Sequence, residues 1–333
     1  MSETIAVLGA GSWGTALAVH CARLGHDVRL WARDESLVEE IAAVGENSRY
    51  LHGIAVGPSV KATARLQRAL QGASVVIAAV PSHGMRAVLR EAAPFIQKTA
   101  VVISAAKGIE RDTLECMSQV ISQEAAGRPI AVLSGPSFAI EVARGMPTAV
   151  VVASADAAAA AHIQETLKGP ALRLYVSDDV AGVEIGGALK NVIAIAAGVV
   201  EGLQLGHNAL AALITRGLVE ISRLACAEGA KRDTLSGLSG LGDLVLTCTG
   251  DLSRNRRVGI QLGRGQSLDD ILSHMRMVAE GVRTTSAALA LGERRGIELP
   301  IAAQMAAVLD GRTSPRDAVE TLMLRRQRAE IDH

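Results

Sequence analysis

A single lysine in the middle of a long apolar stretch is the residue best placed for proton transfer. Lys190 and Asn191 interrupt segment 183–201, which otherwise consists mostly of aliphatic residues, alanine and glycine. Burial disfavours the charged form of lysine and lowers its pKa, so a buried lysine can act as an acid or base near neutral pH. The alternative is a buried helix whose lysine extends to the surface.

The same stretch predicts a helix that another part of the chain approaches closely. Gly186 and Gly187 precede Lys190 by one turn and share its face. Each glycine costs a helix roughly 1 kcal/mol relative to alanine, and close approach of a backbone or ligand would justify that cost. A membrane span needs about 20 uninterrupted apolar residues. Because Glu184, Lys190 and Glu201 interrupt this segment, no span is predicted.

Two polar segments further along the chain could complete a site around Lys190. The glycine-rich segment 236–250 carries Asp243 and Thr247 four residues apart, which on a helix could hold a polar substrate or orient Lys190. Asp243 could instead be an ordinary helix N-terminal acid. Ser253 predicts a helix N-cap followed by Arg254 and Asn255. An arginine beside free helix amides suits a phosphate ester, whereas a basic solvated helix face is the alternative.

The N-terminal segment predicts a dinucleotide-binding loop. The apolar strand 4–8 leads directly into Gly9-Ala10-Gly11-Ser12-Trp13-Gly14 and then a helix, which is the context that a G-x-G-x-x-G motif requires. In that motif the first glycine permits the tight turn, the second lets the backbone approach a pyrophosphate, and the third allows close packing of helix and strand. The helix N-terminus would hold the phosphates.

The residues after the second strand indicate which dinucleotide is preferred. NAD sites usually place an acid there to bind the ribose 2′-hydroxyl, but this chain has Ala32 followed by Arg33. An arginine can pair with a 2′-phosphate. NADP(H) is therefore favoured, and NAD(H) remains possible; an ordinary surface arginine is the alternative.

Further aliphatic runs predict a largely parallel sheet with functional residues just beyond its strand ends. These runs cover residues 74–80, 100–104, 130–134, 149–153 and 172–176, and Ser154 is expected to cap the helix after the fourth of them. Lys107 follows one strand, and Gly135 and Ser137 follow another. Lys107 could contact a substrate carbonyl or phosphate, or be an ordinary loop lysine.

Strand patterns give way to helical patterns near residue 178, which predicts two domains. The expected fold is an α/β N-terminal Rossmann-type dinucleotide-binding domain, residues 1–177, with a mostly α-helical C-terminal domain, residues 178–333, for substrate and catalysis.

Composition narrows the classes of function. Lys+Arg and Asp+Glu both number 34, which gives no electrostatic footprint for nucleic acid or an anionic membrane. The four cysteines are widely spaced and form no metal-binding pair, so no metal site is predicted. Reduced thiols and the absence of a secretory signal pattern favour a cytoplasmic protein.

With these residues identified, the chain closely resembles the bacterial NAD(P)-dependent sn-glycerol-3-phosphate dehydrogenase family over nearly its whole length. The matching motifs are 9–16 (GAGSWGTA), 47–51 (NSRYL), 106–110 (AKGIE), 133–139 (LSGPSFA), 189–191 (LKN), 240–243 (GLGD), 253–255 (SRN) and 280–284 (EGVRT). The resemblance implies reversible reduction of dihydroxyacetone phosphate to sn-glycerol 3-phosphate for phospholipid synthesis. It also implies a homodimer.

The resemblance also implies roles for individual residues. Lys190 falls at the position of the proton acceptor. The expected substrate residues are Lys107, Gly135, Ser137, Lys190, Asp243, Ser253, Arg254 and Asn255. The expected cofactor residues are Gly9, Gly11, Ser12, Trp13, Gly14, Arg33, Tyr50, Lys107, Ala139, Arg254, Val278 and Glu280.

Two other functions are considered beside this one. A hydroxyacid or ketopantoate-type reductase also combines a dinucleotide domain with a catalytic lysine, but its substrate carries a carboxylate, whereas the 253–255 and 135–137 segments favour phosphate. A non-catalytic dinucleotide sensor would explain the glycine loop but not a desolvated Lys190 beside Asn191.

Overall fold

An eight-stranded sheet forms from the first half of the chain, and helices dominate the second half. The computed structural model describes residues 2–275, 279–327 and 329–330. The strands are β1 (Thr4–Leu8), β2 (Asp27–Trp31), β3 (Val60–Thr63), β4 (Val75–Ala78), β5 (Val101–Ser104), β6 (Ile130–Ser134), β7 (Thr148–Ala153) and β8 (Leu172–Ser177). The helices associated with the sheet are α1 (Ser12–Arg23), α2 (Glu35–Val44), α3 (Leu66–Leu70), α4 (Ser82–Ala92), α5 (Met117–Glu124), α6 (Ala139–Arg144) and α7 (Ala157–Leu167).

The second half of the described chain is helical. Its helices are α8 (Val180–Gly202), α9 (Gly206–Ala227), α10 (Arg232–Leu235), α11 (Asp243–Thr249), α12 (Arg254–Gly263), α13 (Leu268–Ser273), α14 (Glu280–Arg295), α15 (Pro300–Leu309) and α16 (Pro315–Met323). The change from strand to helix falls between β8 and α8, where the sequence places it. The division into domains at residues 177 and 178 stays a prediction.

The sheet has the strand order of a dinucleotide-binding fold. Its order is β3-β2-β1-β4-β5-β6-β7-β8, so the connectivity changes direction between β1 and β4. The strands from β3 to β6 are parallel, whereas β7 runs antiparallel to β6 and β8 runs parallel to β7. Ligands of open α/β sheets bind beyond the carboxyl ends of the strands at such a reversal. The predicted fold class is confirmed, and the crevice is expected between β1 and β4.

Two local features differ from the sequence prediction. Strand β3 was not predicted, because the segment VKAT contains no apolar run and lies at the sheet edge. The prediction that Ser154 caps α7 is wrong: the N-cap is Asp156, whose carboxylate accepts hydrogen bonds from the amides of Ala158 and Ala159. The Ser154 hydroxyl donates instead to the carbonyl of Ile130, across the sheet.

Helix α8 is the central element of the helical half. Every residue from Gly182 to Val200 is buried, which explains why the sequence is almost wholly apolar there. The helix is also long and apolar enough to cross a membrane, but its whole apolar window lies inside the fold. The Asp179 side chain caps the helix by accepting from the Gly182 amide at 2.8 Å.

Glycines allow α8 and α12 to pack with their backbones in contact. A Cβ atom on Gly259 of α12 would lie 1.9 Å from the Ile195 carbonyl oxygen of α8, and one on Gly198 would lie 2.0 Å from the Arg256 carbonyl oxygen. Gly202 and Gly263 continue the same contact one turn further along both helices. Helix α12 is thereby fixed against the helix that carries Lys190.

The Gly259→Ala variant tests this contact. Because the clash is with backbone, it cannot be relieved by a side-chain rotation, and overpacking of this kind costs about 1–3 kcal/mol or more. We expect a lower midpoint of urea unfolding. Gly57→Ala is the matched control, because a Cβ at Gly57 meets nothing within 4 Å. Equal stabilities of the two variants would contradict the backbone contact.

Candidate active site

Lys190 lies in a buried polar cluster on the crevice side of α8. Its ammonium donates to Asp243 Oδ1 at 2.5 Å and to Thr247 Oγ1 at 2.8 Å. The Thr247 hydroxyl donates its own hydrogen to the Asp243 carbonyl oxygen at 2.6 Å, which leaves it free to accept from the lysine. A lysine ammonium has three N–H groups, and the third has no acceptor among the residues that the structure describes. It is available to a ligand.

A second lysine reaches the same carboxylate from the sheet. Lys107, which follows β5, donates to Asp243 Oδ2 at 2.6 Å and to the Gly135 carbonyl oxygen at 2.9 Å. The Ser137 hydroxyl donates to the same carbonyl oxygen at 2.9 Å. Asp243 is buried, with 1% of its side chain exposed, and its two oxygens bridge two lysines.

The cluster changes the acidity of Lys190. Burial lowers the pKa of Lys190 to about 8, against the opposing effect of the Asp243 charge, and the nearby Lys107 charge lowers it further. The side chain does not extend to the surface, since only 8% of it is exposed. A lysine with this pKa exchanges a proton readily near neutral pH.

The two glycines before Lys190 are sites of close approach. A Cβ on Gly187 would lie 2.7 Å from Ser134 Oγ at the end of β6, whereas the Lys107 side chain would lie at an ordinary contact distance of 3.6 Å. A Cβ on Gly186 would lie 3.1 Å from the Ser239 carbonyl oxygen, in the glycine-rich turn before α11. Both glycines are therefore points at which another segment of the chain approaches α8 closely.

The N-terminus of α12 lies beside the lysine cluster. Ser253 caps it by accepting from the Arg256 amide at 3.2 Å. The Asn255 side chain donates to Asn191 Oδ1 at 2.9 Å and accepts from the Gly281 amide at 3.0 Å, which connects α12 to α8 and α14. The helix terminus, Arg254 and the lysines together form an anion-binding environment.

Arg254 has a buried acidic neighbour. Burial lowers the pKa of Arg254 and raises the pKa of Glu280, and the charge of each group opposes the shift of the other. The nearby backbone amide of Ser82, the first residue of α4, opposes the rise in the pKa of Glu280. Glu280 therefore lies near the residues that follow β4.

The glycine loop has the geometry that a dinucleotide requires. Gly9 has a φ of +112°, and a Cβ there would lie 2.8 Å from the Ala79 carbonyl oxygen. A Cβ on Gly14 would lie 1.9 Å from the Gly9 carbonyl oxygen, whereas one on Gly11 meets nothing within 4 Å. Only Gly11 therefore faces open space, where a pyrophosphate can approach. Helix α1, which begins with Ser12, has no side-chain cap.

The other predicted cofactor residues lie around this loop. Trp13 has a buried indole nitrogen without a hydrogen-bond partner among the described residues. Tyr50 lies in a turn that is fixed by the buried Asn47. Asn47 Nδ2 donates to the Ala10 carbonyl and to Thr15 Oγ1, both at 2.8 Å. In the sequence, Asn47 was noted only as part of a motif. Arg33 is exposed just after β2.

Ala139 and Val278 are also predicted to contact the cofactor. Ala139 begins α6 and packs against the core below the loop. Val278 lies outside the described residues. Within the described part of the chain no group of His, Cys, Asp and Glu side chains could hold a metal ion.

Thr247 is not among the expected substrate residues, although its four-residue spacing from Asp243 indicates that both side chains could hold a polar substrate or orient Lys190. In the structure its hydroxyl accepts a hydrogen bond from Lys190. That direct bond depends on how α11 packs against α8, which the spacing does not show.

Family models match both halves of the chain. The model for the N-terminus of NAD-dependent glycerol-3-phosphate dehydrogenase matches residues 4–160, and the model for the C-terminus of the same family matches residues 179–320.

Similar proteins cover the chain almost completely. Relatives named glycerol-3-phosphate dehydrogenase [NAD(P)+] are 53% identical in Acidobacterium capsulatum, over 98% of this chain and 99% of the relative, and 52% identical in Geobacter sulfurreducens, over 99% of each. The crystal structure of glycerol-3-phosphate dehydrogenase from Coxiella burnetii matches with a TM-score of 0.94 and 41% identity, over 97% of this chain and 99% of that one. A ketopantoate reductase from Ralstonia eutropha, at 18% identity and a TM-score of 0.60, shares the fold alone.

Proposed function

The chain belongs to the NAD-dependent glycerol-3-phosphate dehydrogenase family, and we propose that it catalyses the reversible NAD(P)H-dependent reduction of dihydroxyacetone phosphate to sn-glycerol 3-phosphate. The observation that carries this proposal is the buried Lys190, which donates to Asp243 and Thr247 and has a third N–H without an acceptor among the described residues. Following the loss of NADPH absorbance on addition of dihydroxyacetone phosphate tests it, and no loss of absorbance would contradict it. Supply of glycerol phosphate for phospholipid synthesis is the corresponding role.

Each residue of the Lys190 cluster has a separate role in the proposed reaction. When bound, NAD(P)H supplies the hydride that reduces the ketone carbon. Lys190, in its protonated form, stabilises the negative charge that builds on the ketone oxygen and donates the proton that completes the alcohol. In the reverse direction neutral Lys190 removes that proton. Asp243 orients Lys190, and Lys107 contacts the ketone end of the substrate.

The phosphate end of the substrate is assigned to the start of α12. Arg254 offers a planar pair of donors, and Ser253 and Asn255 lie at the helix N-terminus beside it. Gly135 and Ser137 form the opposite wall, next to Lys107. This arrangement supports a phosphorylated substrate over the carboxylate substrate of a hydroxyacid or ketopantoate-type reductase. A non-catalytic sensor gives no role to the Lys190 cluster.

The pKa of Lys190 predicts opposite pH profiles for the two directions. Reduction requires the protonated lysine, so its kcat/KM is expected to fall as pH rises through about 8. Oxidation requires the neutral lysine, so its kcat/KM is expected to rise through the same range. Because the Asp243 charge favours the protonated form, Asp243→Asn is expected to move both transitions to lower pH. Profiles that do not respond to this substitution would contradict the assignment.

NADP(H) is proposed as the preferred cofactor, with NAD(H) also accepted. The support is Arg33 and the missing acid at Ala32, at the place where the ribose 2′-substituent is bound. Residues 9 to 14 would hold the pyrophosphate, and Trp13, Tyr50, Ala139, Arg254 and Glu280 would surround the rest of the dinucleotide.

A homodimer in the cytoplasm is the proposed state. An apolar cavity of about 540 Å³ lies between α8, α9, α15 and α16. Met323 and Leu324, next to it, are 79% and 76% exposed, and exposed apolar patches often mark interfaces. Sedimentation of a monomer at micromolar concentration would contradict the dimer.

The cytoplasmic location is supported by the cysteines. All four are unpaired, which suits a reducing compartment.

A further inference from the structure

We propose that His83 and Arg283 act with Arg33 as a three-residue site for the 2′-phosphate of NADP(H), so that the helical half of the chain takes part in cofactor selection. This inference rests on the proposed function, because it concerns which form of the dinucleotide the enzyme prefers.

Arg33 and His83 lie on the two sides of the glycine loop. The Gly9 amide donates to the Trp31 carbonyl at 3.0 Å, and the Ala79 amide donates to the Leu8 carbonyl at 2.8 Å, so pairing continues to the ends of β2, β1 and β4. Two strand spacings, about 10 Å, separate β2 from β4. An extended arginine side chain covers most of that distance.

Helix α14 brings the third side chain to the same place. The backbone amide of Ser82, which directly precedes His83, is close enough to lower the pKa of Glu280, the first residue of α14. Arg283 follows Glu280 by three residues and shares its face of the helix. The bond from the Gly281 amide to Asn255 fixes this first turn. Arg283 therefore projects near the start of α4.

The electrostatics of the three side chains agree with this placement. The pKa of His83 is lowered by partial burial and then by the positive charges of Arg283 and Arg33. All three residues are exposed, and within the described part of the chain none of them forms an ion pair. The nearest acid in sequence, Asp34, is occupied by Ser36 and Arg49.

These positions identify the ligand. Like charges held together repel one another, and an anion relieves that repulsion. The end of β2 is where a dinucleotide fold binds the ribose 2′-substituent. Of the two cofactors, only NADP(H) carries a phosphate there, and a phosphate matches the arginine donors.

Fluorescence titration with NADPH and NADH, without substrate, tests the site. Arg283→Ala is expected to weaken NADPH binding about 10-fold, and His83→Gln about 3-fold, with NADH binding unchanged in both. Arg33→Ala is the reference and is expected to show a loss about as large as that of Arg283→Ala. Arg316→Ala, an exposed arginine of α16, is the control for a general charge effect and is expected to change neither affinity.

The outcomes separate this inference from the cofactor preference and from the reaction. If only Arg33→Ala loses NADPH affinity selectively, the three-residue site is wrong and the NADP(H) preference stands. Equal losses of NADPH and NADH in Arg283→Ala would also overturn the site, because they would place Arg283 at the part the cofactors share. Equal affinities of the native protein for NADPH and NADH would overturn both the three-residue site and the NADP(H) preference. The reaction itself is tested separately, with NADH and dihydroxyacetone phosphate.

Discussion

Replacing Lys190 with methionine is expected to lower turnover by roughly 10²- to 10⁴-fold, the usual contribution of general acid–base catalysis. Methionine is similar in length and cannot exchange a proton. Removing one partner of a buried ion pair often destabilises a protein, but here Asp243 retains its bond to Lys107. The fold and NADPH binding should therefore persist. Turnover is measured at saturating dihydroxyacetone phosphate, and circular dichroism and NADPH titration check the other two properties.

Lys168→Met provides the matched control for this substitution. Lys168 is an exposed lysine whose ammonium pairs with Glu165 three residues before it, so its loss should leave turnover unchanged. Near-native turnover of Lys190→Met would remove Lys190 from the mechanism.

The second large effect is expected from Arg254→Gln, which removes the proposed partner of the substrate phosphate. The phosphate is remote from the reacting carbon, so its binding energy can be used to position the ketone. We expect kcat/KM to fall by about 2–4 kcal/mol, the scale of a charge-assisted pair in a partly desolvated site. Arg254→Lys should recover only part of this loss, since it keeps the charge but not the planar donors.

Two measurements make this test specific. NADPH affinity must be measured for both variants, because Arg254 lies beside Glu280, a proposed cofactor residue. Dihydroxyacetone without its phosphate should be a poor substrate of the native enzyme. If it serves as well as the phosphate ester, the phosphate site is misassigned and a carboxylate-accepting reductase becomes the better hypothesis.

The sequence allowed the parts of the fold that depend on local patterns to be predicted. The run from Gly9 to Gly14 predicted a strand, a turn and a helix because the glycine spacing and the apolar strand before it form a local sequence pattern. The helix around Lys190 and its close approach at Gly186 and Gly187 followed from spacing alone. The cap at Ser253 is likewise a local hydrogen bond.

Features that depend on contacts between distant segments could not be predicted in this way. The antiparallel direction of β7 is set by the path of the chain into the sheet. Its run of apolar residues suits a parallel and an antiparallel strand equally well. The bridge from Lys107 through Asp243 to Lys190 joins three segments that are far apart in the sequence. The distances between them along the chain do not show that two lysines share one carboxylate. His83 and Arg283 lie 200 residues apart in the sequence, and only the fold brings the charge of Arg283 close enough to lower the pKa of His83.

The carboxylate of Asp243 links the sheet side of the crevice to its helical side, because Lys107 follows β5 whereas Asp243 and Lys190 belong to α11 and α8. Any opening that separates Lys107 from Asp243 takes away a positive charge that lowers the pKa of Lys190 and admits water to the cluster. Both changes make Lys190 hold its proton more tightly. The acid strength of the lysine is thus tied to closure of the crevice, so the proton is released most readily when the ketone is enclosed.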